Sequence, residues 1–345
     1  MDELNSPAEN STDPSPVVDL IEAFRRSKAM FAAVALGVFD RLGEAPADAT
    51  ALAAQIGANG DALERLLDSC VGLGFLLKES GVYSNQPVAE RYLRRSSPQT
   101  MAGYILYSNR VLYALWGNLE DAVREGSHRW RQTFSLDGLI FDHFFRTEES
   151  RREFVAGMHG FGLISSPRVV EAFDLTKFHH LVDLGGATGH LAVAACERYP
   201  GLRATIFDLA PVIESAREYI ARSKVADRVE PMAGDFFHDP LPEADLYSLG
   251  RILHDWSEEK IGALLAKIVQ RLPSGGALLI AERLLDEDKS GPLPALLQSL
   301  NMLVCTEGKE RTLSEYTALL REAGFAEVQS RKTGAPLDAI LAIKR

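Results

Sequence analysis

The sequence predicts an α/β chain in two parts: a helical half, then a mainly parallel, doubly wound sheet of seven strands. Three observations predict it. Up to about Pro167 the apolar residues fall mostly at three- and four-residue spacing, the period of helices with one buried face. After Pro167 short apolar runs alternate with helical stretches, the pattern of βαβ crossovers. The first of those runs ends in "LVDLGGATGH" (Leu181–His190), where an acid and three glycines open a helix.

Composition narrows the possibilities. A chain of 345 residues suggests about two domains, and 46% hydrophobic residues suffice for a sizeable core. A net charge of −11 and a pI of about 5.3 repel nucleic acid and anionic membrane, so neither is an expected partner. Cys70, Cys196 and Cys305 are far apart and form no CxxC pair. That suits a reducing cytoplasm and argues against a disulfide framework or a zinc site. Residues 1–16 are acidic and rich in Ser, Pro and Asn, without the basic start and apolar centre of a signal peptide. They are expected to be a disordered tail. No apolar run is long enough to span a bilayer.

In chain order, "VVDLIEAFRRSKAMFAAVALGVFDRL" predicts a long helix with a weak point at Gly37. Next come a helix, a turn, a second helix and a hairpin whose strands, "FLLKE" and "VYSNQ", flank Ser80-Gly81. This is a winged-helix pattern, which raises a DNA-binding regulator as a rival. Its would-be recognition helix carries Asp61, Glu64 and Asp68 against Arg65, whereas DNA readers need cations there. Further helix is expected over about Thr100–Glu125 and Asp137–Gly162. Tyr104, Tyr107, Tyr113, Trp116, Phe134, Phe141, Phe144 and Phe145 form an aromatic stripe there, which reads as core or as the roof of an apolar pocket. The expected strands are "HHLVDLG", "RATIFDL", "RVEPMAG", "ADLYSLG", "GALLIAE", "AEVQSRKT" and "LDAILAIKR". The last two follow each other closely, so they predict a hairpin with the final strand antiparallel. The boundaries are drawn at 17–166 and 167–345.

In a doubly wound sheet, ligands bind beyond the carboxyl ends of the strands. Gly185, Gly186 and Gly189 would let a ligand approach bare backbone there. Their spacing, G-G-x-x-G, is not the G-x-G-x-x-G of a dinucleotide site. Asp208 ends the next strand, where an acid can accept from both hydroxyls of a ribose. Turn and acid favour a nucleoside ligand without separating NAD from S-adenosylmethionine. Gly234, Asp235 and Phe236 follow the third strand, where a carboxylate can accept from an adenine amine and a ring can stack on the base. His254 follows the fourth strand in "SLGRILHDWSEEK". Glu282 ends the fifth, and Glu310 sits in "TEGKERT" before a helix. Carboxylates beside an imidazole would fix its tautomer and make it a better base.

Taken together, "DLGGATG", "GDFFHDPLPEADLY", "RILHDW" and "SLNMLVCTEGKERT" resemble the small-molecule O-methyltransferases of the caffeate and acetylserotonin type. "KTGAPLDAILAIK" looks like the acetylserotonin branch. The resemblance implies a seven-stranded Rossmann-like class I methyltransferase domain (167–345), preceded by a helical, winged-helix-like dimerisation and substrate-cap domain (17–166). It implies S-adenosylmethionine as cofactor, no metal, and a homodimer in which the first helix, with Met30 and Phe31, packs at a two-fold axis. It places cofactor contacts at Gly185, Asp208, Gly234, Asp235, Phe236 and Arg251. It makes His254 the base, flanked by Glu282 and Glu310, and puts Asp255, Asn301 and Met158 near the acceptor. Three positions depart from the branch. Phe145 stands for an aromatic hydroxyl, and Gly162 for a tryptophan whose ring Phe161 would replace. Cys305 stands for an amide facing the acceptor. A thiol fixes a polar substituent poorly, which argues against acetylserotonin itself.

The expected reaction is methyl transfer to a phenolic or enolic hydroxyl. A phenol of pKa about 10 is far closer to an imidazole of about 6.5 than an aliphatic alcohol is. General-base help of about 10²–10⁴-fold then adds to the alignment of the oxygen.

Overall fold

The computed structural model describes residues 12–137 and 148–345. Most of the expected tail, and the expected aromatic positions Phe141, Phe144 and Phe145, lie outside the described residues. The chain packs as two compact units, 1–102 and 103–345.

In the first unit a helix runs from Ser15 to Ala35, with prolines at its start. The chain turns at Gly37 and resumes as a short helix, Val38–Leu42. Strand β1 (Ala47–Asp48) leads into two helices, Ala49–Ile56 and Gly60–Gly72. Each is capped by a side chain that accepts from a first-turn amide, Asp48 from Ala51 and Asn59 from Ala62. The hairpin of β2 (Leu76–Glu79) and β3 (Val82–Asn85) follows, with β1 on the other edge of β3. Ser80 and Gly81 both have positive φ, which matches the right-handed twist of a two-residue hairpin turn. The acids of the Gly60–Gly72 helix are engaged by this hairpin. Asp68 accepts from Lys78 Nζ and from the Tyr83 hydroxyl, each at 2.7 Å, and Glu64 accepts from Lys78 at 3.2 Å.

The second unit holds a seven-stranded sheet. Its strands are β4 (His180–Leu184), β5 (Arg203–Asp208), β6 (Val229–Ala233), β7 (Leu246–Gly250), β8 (Ala277–Glu282), β11 (Phe325–Arg331) and β12 (Asp338–Lys344). Their order is β11-β12-β8-β7-β4-β5-β6. The five strands from β8 to β6 are parallel, and β12 is antiparallel to both of its neighbours. Through the five parallel strands, chain order therefore runs outward in both directions from β4. That reversal opens a crevice beyond the ends of β4 and β7. Val182, Leu184, Leu249, Leu278 and Ile280 fill the middle of the core. Two further strands, β9 (Leu284–Leu285) and β10 (Arg311–Thr312), pair in parallel, Leu284 against Arg311.

Two helical expectations are corrected. The segment from Thr100 to Glu125 is broken into helices Ala102–Tyr107, Tyr113–Trp116 and Leu119–Glu125, with a π-helical turn over Ser108–Leu112. A π turn adds a residue to the segment, so it is not one regular helix, yet Tyr104 and Trp116 both pack against the cluster that holds Tyr107. The helix expected to end near Gly162 runs on through Pro167 to Glu171. Val169 and Val170 are buried there, and that burial outweighs the backbone bond the proline removes.

Candidate active site

The crevice beyond β4 and β7 is a cavity lined by Gly185, Asp208, Gly234, Asp235, Phe236 and Arg251, and also by Met158, His254, Asp255, Asn301 and Cys305. Every expected cofactor and acceptor residue is therefore on one wall or another of it. Glu282 and Glu310 stand behind His254, 1% and 2% exposed.

One side of the cavity is built by strand ends. Gly185 takes φ +67°, and a Cβ there would come within 2.5 Å of Ile252 Cδ1. Beneath this turn Asp183 accepts from Ser248 Oγ at 2.6 Å. Its other oxygen is buried without a partner among the described residues. Burial pushes the Asp183 carboxyl up to about 7. Asp208 accepts from the amides of Ala187 (2.9 Å) and Leu209 (2.7 Å), so it braces the turn that it faces. Burial raises it to about 6. Asp235 caps its own loop, accepting from the Phe237 amide and pairing with His238 Nδ1, each at 2.8 Å.

The other side is built by β7, β8 and β10. Arg251 leaves β7 at φ +58°, a left-handed turn uncommon for a side chain of this size. Its guanidinium lies 4.6 Å from the centre of the Phe161 ring and 3.6 Å from Met158 Sδ. The turn continues into a 3-10 helix, Leu253–Asp255. Glu282 Oε1 accepts from the amides of Ile252 (3.0 Å), Leu253 (2.9 Å) and His254 (3.4 Å), which fixes the turn. Glu282 Oε2 lies 3.3 Å from His254 Nδ1. The β9–β10 pairing carries Glu310 to the same nitrogen, with Oε1 at 2.7 Å. Burial pushes Glu282 up to about 7 and Glu310 up to about 8. A Cβ at Gly308 would fall on the His254 carbonyl, so only glycine lets this loop close on the turn.

Among the described residues, His254, Glu282 and Glu310 are the trio compact enough to hold a metal ion. The 2.7 Å between Nδ1 and Oε1 is a hydrogen-bond distance, tighter than two ligands that each stand about 2 Å from one ion.

Asn301 and Cys305 lie one turn apart on the helix Leu293–Cys305. Asn301 Oδ1 accepts from Trp116 Nε1 at 2.8 Å, with Cys305 Sγ at 3.8 Å. Tyr104, Tyr107, Phe154 and Phe161 also line the cavity, while Tyr113 is 39% exposed.

His190 and Ser166 line the cavity too, and the motifs did not point to either. His190 starts the helix after the glycine turn, and its Nδ1 lies 2.8 Å from Ser166 Oγ. A Cβ at Gly162 would fall on its ring. Burial pushes this imidazole down to about 3, so it is neutral. The signal available was the bare backbone of Gly162 together with a histidine directly after the last glycine.

A reversed parallel sheet, an acid on the second strand end and a bare turn on the first define a nucleoside-binding class of protein, with a buried imidazole beside the same cavity. Comparison with known proteins gives the particular family. Residues 116–326 match the family model of the O-methyltransferase domain, and residues 18–95 match that of the O-methyltransferase dimerisation domain. Acetylserotonin O-methyltransferase of Bos taurus is 42% identical over 328 residues, 93% of this chain and 95% of that protein. The Homo sapiens protein is 42% identical over 333 residues, 94% and 96% of the two chains. The crystal structure of human N-acetylserotonin methyltransferase in complex with SAM superposes with a TM-score of 0.92 at 40% identity, covering 98% of this chain and 99% of that one. That of PigF with SAH gives 0.87 at 31%, covering 96% and 100%. The chain belongs to the O-methyltransferase family and is an S-adenosylmethionine-dependent O-methyltransferase.

Proposed function

We propose that the acceptor is the hydroxyl of a small aromatic molecule, a hydroxyindole or related phenol, and that His254 is the general base. The observation that carries this reading is the buried His254 ring: Nδ1 is engaged by Glu310, and the ring borders the same cavity as Asp208 and Phe236. The relatives named acetylserotonin O-methyltransferase support a hydroxyindole as the first acceptor to try.

S-adenosylmethionine supplies an electrophilic methyl group. Gly185, Asp208, Gly234, Asp235, Phe236 and Arg251 would hold it, and the cradle of bare turn, orphaned Asp183 oxygen and Asp208 carboxylate fits such a ligand. The chain's remaining work is to hold an oxygen and take its proton. With Nδ1–H donating to Glu310, Nε2 is the nitrogen left to accept from the acceptor hydroxyl. Full transfer from a phenol to an ordinary imidazole would cost roughly 5 kcal/mol, at about 1.36 kcal/mol per pKa unit. Glu310 and Glu282, once ionised, stabilise the imidazolium and reduce that cost. Asp255, Asn301, Cys305 and Met158 would contact the acceptor, and the helices from residue 103 to 171 would cap it. Burial pushes the Cys305 thiol well up, so it acts as a small apolar wall.

The dimerisation-domain match and the exposed apolar face of the first helix support a homodimer. The three buried free cysteines support a reducing, cytoplasmic setting. Among the described residues no helix is long and apolar enough to cross a membrane.

The test is a panel of hydroxyindoles and phenols with labelled S-adenosylmethionine. His254→Ala is expected to lower kcat at least about a hundredfold while S-adenosylhomocysteine binding stays near wild type. Near-normal turnover in that variant would remove His254 from the base role.

A further inference from the structure

The cavity that His254 lines adjoins a side chamber. Tyr104, Leu112 and Asn301 line both spaces. Beyond them the chamber is walled by Trp116, Leu293, Pro294 and Leu297, and its polar groups are Arg283 and Gln298. Arg283 follows directly on Glu282 at the end of β8. Its Nη1 donates to the Pro294 carbonyl at 2.9 Å, and its guanidinium lies 5.6 Å from the centre of the Phe161 ring, which borders the main cavity. Among the described residues no carboxylate stands within ion-pair distance of Arg283. Gln298 is only 9% exposed, and its Nε2 is buried with no hydrogen-bond partner among the described residues. A cation whose negative neighbour, Glu310, acts from beyond ion-pair distance, and a buried amide N–H₂ without an acceptor, thus border one apolar chamber. A planar anion satisfies both: the guanidinium fork matches a carboxylate, and the amide donates to the same group.

We propose that this chamber is a subsite for a carboxylate-bearing substituent of the acceptor, with Arg283 as its cation and Gln298 as its amide donor. The favoured substrate class is then a hydroxylated aromatic acid, an inference that rests on the aromatic-hydroxyl reading above.

The test compares 5-hydroxyindole-3-acetate with 5-hydroxyindole. Wild type is expected to show kcat/KM at least about tenfold higher for the acid. Arg283→Ala brings that ratio near one, Arg283→Lys restores part of it, and Gln298→Leu lowers it several-fold. S-adenosylhomocysteine affinity of the same samples reports their folding. A wild-type ratio near one, or a ratio untouched by Arg283→Ala, overturns the proposal. A second measurement separates this from the acceptor reading. Indole-3-acetate has no hydroxyl to methylate, and its binding to the wild-type S-adenosylhomocysteine complex is expected to be at least about tenfold tighter than to that of Arg283→Ala. Equal binding, or none by either protein, overturns the chamber whether or not any hydroxyindole is methylated. Tighter wild-type binding with no hydroxyindole methylated upholds the chamber and overturns the hydroxyindole reading instead.

Discussion

With His254 as the proposed base, turnover depends on which ring nitrogen is left toward the cavity and on the charge behind the other. Glu282 and Glu310, raised by burial to about 7 and about 8, are protonated at lower pH and leave the back of the ring without negative charge. As pH rises through those values they ionise and favour the imidazolium. Turnover is therefore expected to climb from about pH 6 to about pH 9. Glu310→Gln should flatten the upper part of that rise and lower the plateau on the order of tenfold. A wild-type profile already flat from pH 6 would sink this account of the pair. A second residue-scale expectation concerns Gly162, whose missing side chain leaves room for His190. Gly162→Ala should cost about 1–3 kcal/mol by overpacking, read as a lower Tm. In a His190→Ala background the same change should cost little. An equal loss in both backgrounds would mean that the ring is not what fills the space.

At the scale of elements, the helix Ser15–Ala35 presents a face that its own unit does not cover: Leu20 is 73% exposed and Phe24 is 52% exposed. Leu20→Glu with Phe24→Glu is expected to yield a monomer in sedimentation velocity at micromolar concentration, with S-adenosylhomocysteine affinity retained. A dimer that survives both changes would place the interface elsewhere. The main sheet was legible because most of its strands are short apolar runs, and three of the expected runs end in Asp183-Leu184, Asp208 or Glu282. An acid beside an apolar run marks both the strand and the rim. β9 and β10 were not legible, since two residues carry no period, yet their pairing is what sets Glu310 beside Glu282. The π turn at Ser108–Leu112 escaped for a related reason: apolar spacing counts turns but does not see one residue added to one of them. His190 escaped because its role depends on Gly162, and no local pattern joins the two.

For the molecule as a whole, the buried ionisable groups set how stability varies with pH. Asp183, Asp208, Asp255, Glu282 and Glu310 all have carboxyls raised by burial, to between about 6 and about 8. Each such group contributes most below about pH 4, and its contribution is lost as pH rises through the folded value. His159 and His190, pushed down by burial to about 4 and about 3, work in the opposite sense below about pH 6.5. The five carboxyls outnumber the two imidazoles, so Tm is expected to fall between about pH 5.5 and about pH 8.5. Asp183→Asn, which cannot ionise, should make that fall shallower. A Tm that climbs over this range would refute the balance.

The order β11-β12-β8-β7-β4-β5-β6 also splits labour across the crevice. Asp208, Gly234 and Phe236 come from the ends of β5 and β6 on one wing, while Glu282, Arg283 and Glu310 come from the end of β8 and the loop it meets on the other. The two wings meet only at β4 and β7. On the proposed assignment, a chimera that exchanges residues 283–312 with a relative's would alter the acceptor wing and leave the sequence at the ends of β5 and β6 intact, so it would change acceptor preference and keep the donor.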